Sequence, residues 1–317
     1  MHESRPPHGD DAGFPVAHRP EGLLDAALTR AVADAAAALG IADPVKAVHE
    51  LRKSFKQLRA LLRLVQHAPD AAVAARAREL RGALAEAARR LAHARDDAAR
   101  RDALDDLVAK GGLAPALRGA AGRALAPAPP RRGKVATGGR EEAEAGLTPH
   151  RAELELLLGQ FVAALPALGG ALSDKMLLRA LVAEYARARR MARKLDPADE
   201  DGLHELRKAV VAQRYQMELM TPAWPALGTA WVSELQRLRD RLGKHQDLSV
   251  LIGHIKARPP PARARHAWRA PLIAAARARQ QRLAAAALRL HARLFAEKPA
   301  AFHRRIAAYM SAISEGK

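Results

Sequence analysis

His49-Glu50-Leu51-Arg52-Lys53, inside the stretch PVKAVHELRKSFKQLRALLRLV (44–65), returns letter for letter as His204-Glu205-Leu206-Arg207-Lys208. Counted from each His, apolar residues stand at offsets −1, +2, +6 and +13 in both places: Val48, Leu51, Phe55 and Leu62 against Leu203, Leu206, Val210 and Met217. This spacing marks the buried stripe of an α-helix, where side chains three and four residues apart share a face. A chance five-letter match would not bring its packing register with it, so the pair reads as duplication of a helical unit. A weaker echo follows each copy, RLAHARD at 90–96 and RLGKHQD at 241–247.

Outward from these two helices, 3.6-residue periodicity and Pro or Gly breaks predict further helices. In the first half they fall at about 22–39, 45–67, 71–96, 98–109 and 115–125. In the second half they fall at about 150–164, 173–195, 201–220, 228–246, 247–257, 262–296 and 299–314. Ala, Leu, Arg and Glu dominate and aromatic residues make up only 3% of the 317 residues, a balance that favours helix over strand. The expected fold class is all-α. Residues 1–21 read as a disordered tail, 22–126 as the first repeat, 127–149 as a Pro-, Gly- and charge-rich linker and 150–317 as the second repeat. Each repeat is expected to be a bundle of about four helices, which covers amphipathic faces with short connections.

Lys and Arg number 53 against 34 Asp and Glu, a formal net charge of +19. Such an excess points to an acidic polymer or surface as partner. Nucleic acid, anionic membrane and polyphosphate all satisfy it. The absence of Cys excludes disulfides and thiolate metal sites and suits a reducing cytoplasm. No secretory signal is expected in the N-terminus, and no stretch is expected to span a bilayer.

On the first His helix, His49, Arg52, Lys56, Arg59 and Arg63 fall at offsets 0, +3, +7, +10 and +14, a strip roughly 80° wide and about 21 Å long. Like charges stacked this way cost roughly 0.2–0.5 kcal/mol per pair, and nothing acidic is interleaved to relieve them. The second copy keeps His204, Arg207 and Arg214 on the same face with Lys208 alongside, but has Val211 where the first has Lys56 and Glu218 where it has Arg63. Flanking helices offer two more candidate sets, Arg187, Arg190 and Lys194 before the second His helix and Arg237, Arg241 and Lys244 after it. The planar fork of Arg and the point charge of Lys together suit a repeating anion without strict registry. A cationic run on an Ala-rich helix is more often an ordinary solvated face, and repetition of the ladder is what argues against that here.

Neither His has a second His or carboxylate at i+3 or i+4, so a metal site is not expected, nor is a cofactor. The candidate role of the two His residues is hydrogen bonding, and a His beside polyphosphate would be drawn toward its protonated form, tightening binding at mildly acidic pH. A phosphohydrolase or phosphotransferase would need clustered carboxylates for a divalent cation. Asp96, Asp97, Asp102, Asp105 and Asp106 form the densest acidic group and read as a solvated helix face, so no catalytic residues are expected. Non-specific nucleic-acid binding is the alternative, weakened by the scarcity of aromatic residues to stack on bases.

The paired helices resemble the conserved histidine α-helical domain (CHAD) family, whose hallmark is a His-x-x-Arg-x-x-x-Lys/Arg-x-x-Arg helix appearing twice. His49, Arg52, Lys56 and Arg59 fit the first copy. In the second, His204, Arg207 and Arg214 fit, Arg214-Tyr215 with Glu218 resembles its Arg-Tyr-x-x-Glu ending, and Val211 departs from the expected Lys. The resemblance covers roughly 22–314. It implies two four-helix bundles related by a pseudo-twofold, with inorganic polyphosphate bound in a basic cavity between them and, for some members, association with polyphosphate granules. Many relatives carry a fused triphosphate-processing CYTH domain marked by Glu-x-Glu-x-Lys. No such triplet occurs here, and Glu153-Leu154-Glu155 runs on into Leu156 and Leu157, so the stand-alone form is expected. A nucleotide-binding Gly-x-x-x-x-Gly-Lys-Ser/Thr loop is also lacking.

Overall fold

The computed structural model describes residues 22–91, 96–125, 147–257 and 268–315. The tail at 1–21 and most of the expected linker at 127–149 lie outside the described residues. Among those described, every regular element is helical. In chain order they are α1 (Leu23–Leu39), α2 (Pro44–Val65), α3 (Ala71–Arg90), α4 (Asp96–Asp106), α5 (Pro115–Leu125), α6 (Arg151–Gly169), α7 (Asp174–Met191), α8 (Glu200–Met220), α9 (Pro225–Ala257), α10 (Arg269–Leu294) and α11 (Pro299–Glu315). The repeated pentapeptides sit on α2 and α8.

Local chemistry sets the helix starts. Asp43 accepts from the Val45 amide at 3.0 Å, with Pro44 at the first helical position. Asp70 accepts from the Ala72 and Val73 amides, and Asp199 from the Gly202 amide at 2.9 Å. Each side chain satisfies a donor that the first turn leaves unpaired. Past α4 the chain widens into a π turn, Leu107–Gly111. Gly112 ends it at φ +80°, a left-handed conformation natural to Gly.

Two expectations about breaks are corrected. The helices expected at 228–246 and 247–257 are one continuous α9 of 33 residues. His245 and Leu248 are both buried across the supposed junction, and packing on that side overrides the weak propensities of Gly243 and Asp247. The helix expected to stop at 164 runs through Pro166 to Gly169. Residues 148–169 are long and apolar enough to cross a membrane by composition, but Leu154, Leu158, Phe161, Leu165 and Leu168 are buried among the other helices.

The apolar cores do not divide at the linker. The larger one joins α1, α2 and α3 to α6, α7 and α8, together with Leu235, Leu238 and Leu242 of α9, the end of α10 and Phe302 and Ile306 of α11. A smaller one joins Leu104, Leu107 and Leu125 from the first half to Leu248, Leu251 and Ile255 of α9 and Leu272 and Leu283 of α10. Asp106 locks the smaller core, accepting from Lys244 Nζ at 2.8 Å and from Arg279 Nε at 2.8 Å. Burial works to raise the Asp106 carboxyl, but the hydrogen bonds and charges of Arg279 and Lys244 outweigh it and hold it below its ordinary value. Where α2 and α8 cross, Ala60, Ala212 and Tyr215 make a contact of their own. There Gln216 Nε2 donates to the Ala60 carbonyl at 3.0 Å.

The packing of α6 on α1 gives a sign test. At Gly169 a Cβ would overlap the buried Asp25 carboxylate, whereas at Gly159 on the same helix it would meet nothing within 4 Å. Propensity alone makes Gly→Ala in a helix stabilising by up to about 1 kcal/mol. Gly159→Ala should follow that rule in urea denaturation, and Gly169→Ala should reverse it, losing about 1–3 kcal/mol to overpacking.

Candidate functional site

The two His helices are neighbours, and beside their crossing lies a cavity of about 490 Å³. Lys56, Arg59 and Arg63 of α2 line one wall, and His204, Arg207 and Lys208 of α8 face them. Arg187 reaches in from α7, Arg81 from α3 and Arg239 from α9. Ala60, Val211 and Ala212 supply an apolar patch and Glu205 an acidic one. Eight Lys and Arg side chains from five helices therefore share one cavity with His204. The period of α2 explains its contribution: Leu51, Phe55, Leu58 and Leu62 are buried, which turns the neighbouring face, carrying Lys56, Arg59 and Arg63, along the edge of the core.

These cations are crowded and partly dehydrated. The Nε atoms of Arg59 and Arg81 are buried with no hydrogen-bond acceptor among the described residues. Burial lowers the Arg59 pKa from its ordinary value, and Arg89 and Arg63 add to the effect. Arg81 is lowered by burial and by Arg63, Arg59 and Arg187, with Glu184 opposing. Arg187 is lowered by burial and by Arg63, again with Glu184 opposing. These guanidinium groups stay charged at any physiological pH, and the shifts reflect dehydration first and mutual repulsion second.

Glu184 of α7 offsets part of this repulsion. Its side chain is only 7% exposed, and it accepts from Arg63 Nε at 2.7 Å and Nη2 at 3.1 Å, a bidentate pair. It also accepts from Arg187 Nε at 3.3 Å and lies 3.5 Å from His67 Nε2. Burial alone would raise its carboxyl. The hydrogen bonds from His67 and Arg63 and the charges of Arg63 and Arg187 overcome that and bring it down to about 2.

The expected site residues divide. Lys56, Arg59, Arg63, Arg187, His204, Arg207 and Lys208 are brought together, while His49, Arg52, Arg190, Lys194, Arg214, Arg237, Arg241 and Lys244 are not among the lining residues. Each of several has other work. Arg52 Nη1 donates to the Ala88 carbonyl at 2.7 Å, tying α2 to α3. Arg214 pairs with Glu218 and lies 4.1 Å above the Tyr215 ring. Arg237 pairs with Glu234 and Lys244 with Asp106, and Arg241 faces the Ala286 carbonyl at 3.5 Å. His49 is exposed and His204 half-buried. His204 Nδ1 stands 3.1 Å from Gln246 Oε1. Burial, then Lys208 and Arg207, push the His204 pKa below its ordinary value despite Gln246. Arg81 and Arg239 were missed: each is one Arg among many on its helix, outside the repeated pattern, and only the packing singles it out.

A family model described as the CHAD domain matches residues 22–256. Among solved structures, PptA from Streptomyces chartreusis superposes with a TM-score of 0.54 at 19% identity, over 88% of this chain and 100% of that one. At that identity the likeness speaks for the fold. No curated protein matches the sequence.

Proposed function

We propose, for a chain that belongs to the CHAD domain family, that the cavity beside the α2–α8 crossing binds inorganic polyphosphate and that the protein acts on it by holding it, without catalysis. The observation that carries this reading is the convergence of eight cationic side chains from five helices, two of them with buried Nε donors and no acceptor among the described residues. A flexible phosphate chain offers acceptor oxygens at every unit and satisfies such donors without fixed registry. Clustered carboxylates for a divalent cation would be needed for phosphoryl chemistry, whereas the lining carries one, Glu205, already paired with Lys208 at 2.6 Å. In this reading the two repeats are pseudo-symmetric bundles facing each other across the cavity, and the protein works in the cytoplasm, at polyphosphate granules.

The test is titration with long-chain polyphosphate at about 150 mM salt, competed by duplex DNA. Binding that resists DNA and tightens as the pH falls from 8 toward 6, because the ligand draws a proton onto His204, is the expected result. Equal competition by DNA with no pH dependence would replace a dedicated site by generic attraction to a +19 protein.

A further inference from the structure

The cation cluster carries its own competitor. We infer that Glu184, aided by Glu205, holds the cation cluster together when the cavity is empty and limits how tightly a polyanion is held when it is full. The inference rests on the polyphosphate reading above and adds to it a pair of residues that weaken binding.

Glu184 is the only carboxylate that pairs with Arg63 and Arg187 among the described residues, and it opposes the mutual repulsion of Arg63, Arg81 and Arg187, with a smaller contribution from Glu205 at Arg187. Both hydrogen-bonding edges of the Arg63 fork that point its way are already engaged, and Arg187 divides its donors between Glu184 and Met191 Sδ at 3.3 Å. Glu205 repeats the arrangement at the opposite wall, where it pairs with Lys208 and feels the charge of Arg187. A phosphate chain entering the cavity would meet cations whose charge is already offset by Glu184 behind the wall and by Glu205 on it. Repulsion between those acids and the chain lowers affinity, and the same acids lower the cost of the ligand-free state. Release of the polymer is thereby made easier without loss of any donor.

Glu184→Gln keeps the shape of the side chain and removes its charge. The expected result is polyphosphate affinity raised about three- to tenfold at about 150 mM salt, with the slope of log affinity against log salt steeper by about one. The rise in melting temperature on adding polyphosphate should also be larger than in the wild type, since the ligand now relieves more repulsion. Glu205→Gln is the safeguard against a variant that does not fold: its side chain is 57% exposed, and it should shift affinity and slope the same way by a smaller factor. Unchanged or weaker binding in both variants overturns the inference, and a shallower slope in Glu184→Gln would make Glu184 a positioning residue for Arg63 instead. Failure of the wild type to bind polyphosphate would overturn the functional reading itself, a result distinguishable from either.

Discussion

Changing Arg59 and Arg81 together to Met is expected to cut polyphosphate affinity about a hundredfold or more at about 150 mM salt while the melting temperature holds or rises. Each charge-assisted hydrogen bond to a buried donor is worth about 1.5–3 kcal/mol, so two lost contacts account for the drop, and the salt slope should become shallower by about one to two. The stability half of the result follows from geometry. The Nε atoms of both residues are buried without an acceptor among the described residues, and their guanidinium groups repel one another and Arg63. A buried charge without full compensation destabilises, and Met fills a similar volume without charge. Residues that serve packing lose stability when truncated, whereas residues kept for a ligand against the interest of the fold do the reverse. Isothermal titration and thermal melts of the same double variant read both halves. Loss of stability with unchanged affinity would return both arginines to a structural role.

The second large effect is acid lability in two steps. His291 is buried, stacked on Phe295 at 4.2 Å between ring centroids, with Nε2 3.1 Å from the Ala188 carbonyl. Burial pushes its pKa down to about 4, the Ala188 carbonyl opposing and Arg189 assisting. His245, also buried, is lowered by burial with Glu200 opposing. For such groups the unfolded chain binds the proton first, so stability is complete above the unfolded value near 6.5 and falls as the pH drops from there toward the folded value. His291 alone accounts for about 3 kcal/mol over that window. Glu184 adds a lower step of similar size: its folded pKa of about 2 lies below the unfolded one, so its contribution is present above about 4.5 and disappears toward 2. Urea midpoints between pH 7 and 4 should therefore fall steeply, and His291→Gln, which keeps a donor for the Ala188 carbonyl, should flatten the upper step. A midpoint independent of pH over that range would show that the imidazole protonates without leaving the core.

Helix class and most boundaries were legible because Leu51, Phe55, Leu58 and Leu62 repeat at helical spacing and Pro and Gly punctuate the runs between helices. The site was half legible for the same reason. Once the stripe on α2 is buried, Lys56, Arg59 and Arg63 must line its edge, and duplication brings Arg207 and Lys208 with it. What one helix face cannot say is what stands opposite. Arg63 and Glu184 are 121 residues apart, and no local pattern links them. Arg52 looked equivalent to Arg59 on the ladder, but the carbonyl of Ala88 claims it. Lys244 looked like a free cation until Asp106 met it across 138 residues. Extended charged side chains choose among partners after the helices pack, and that choice is tertiary.

The smaller core sets a timetable for synthesis. Leu104, Leu107 and Leu125 leave the ribosome early, yet the side chains that cover them, Leu248 to Leu283, are made more than a hundred residues later, and Arg279 reaches Asp106 across 173 residues. Until α9 and α10 emerge, the segment from Asp96 to Leu125 carries an apolar face without the residues that complete its core. A nascent chain arrested before residue 269 therefore displays a sticky, incomplete lobe beside a main core whose helices, apart from α10 and α11, are already present. A chaperone that reads exposed apolar surface should stay with this protein until the last quarter of the chain has been translated.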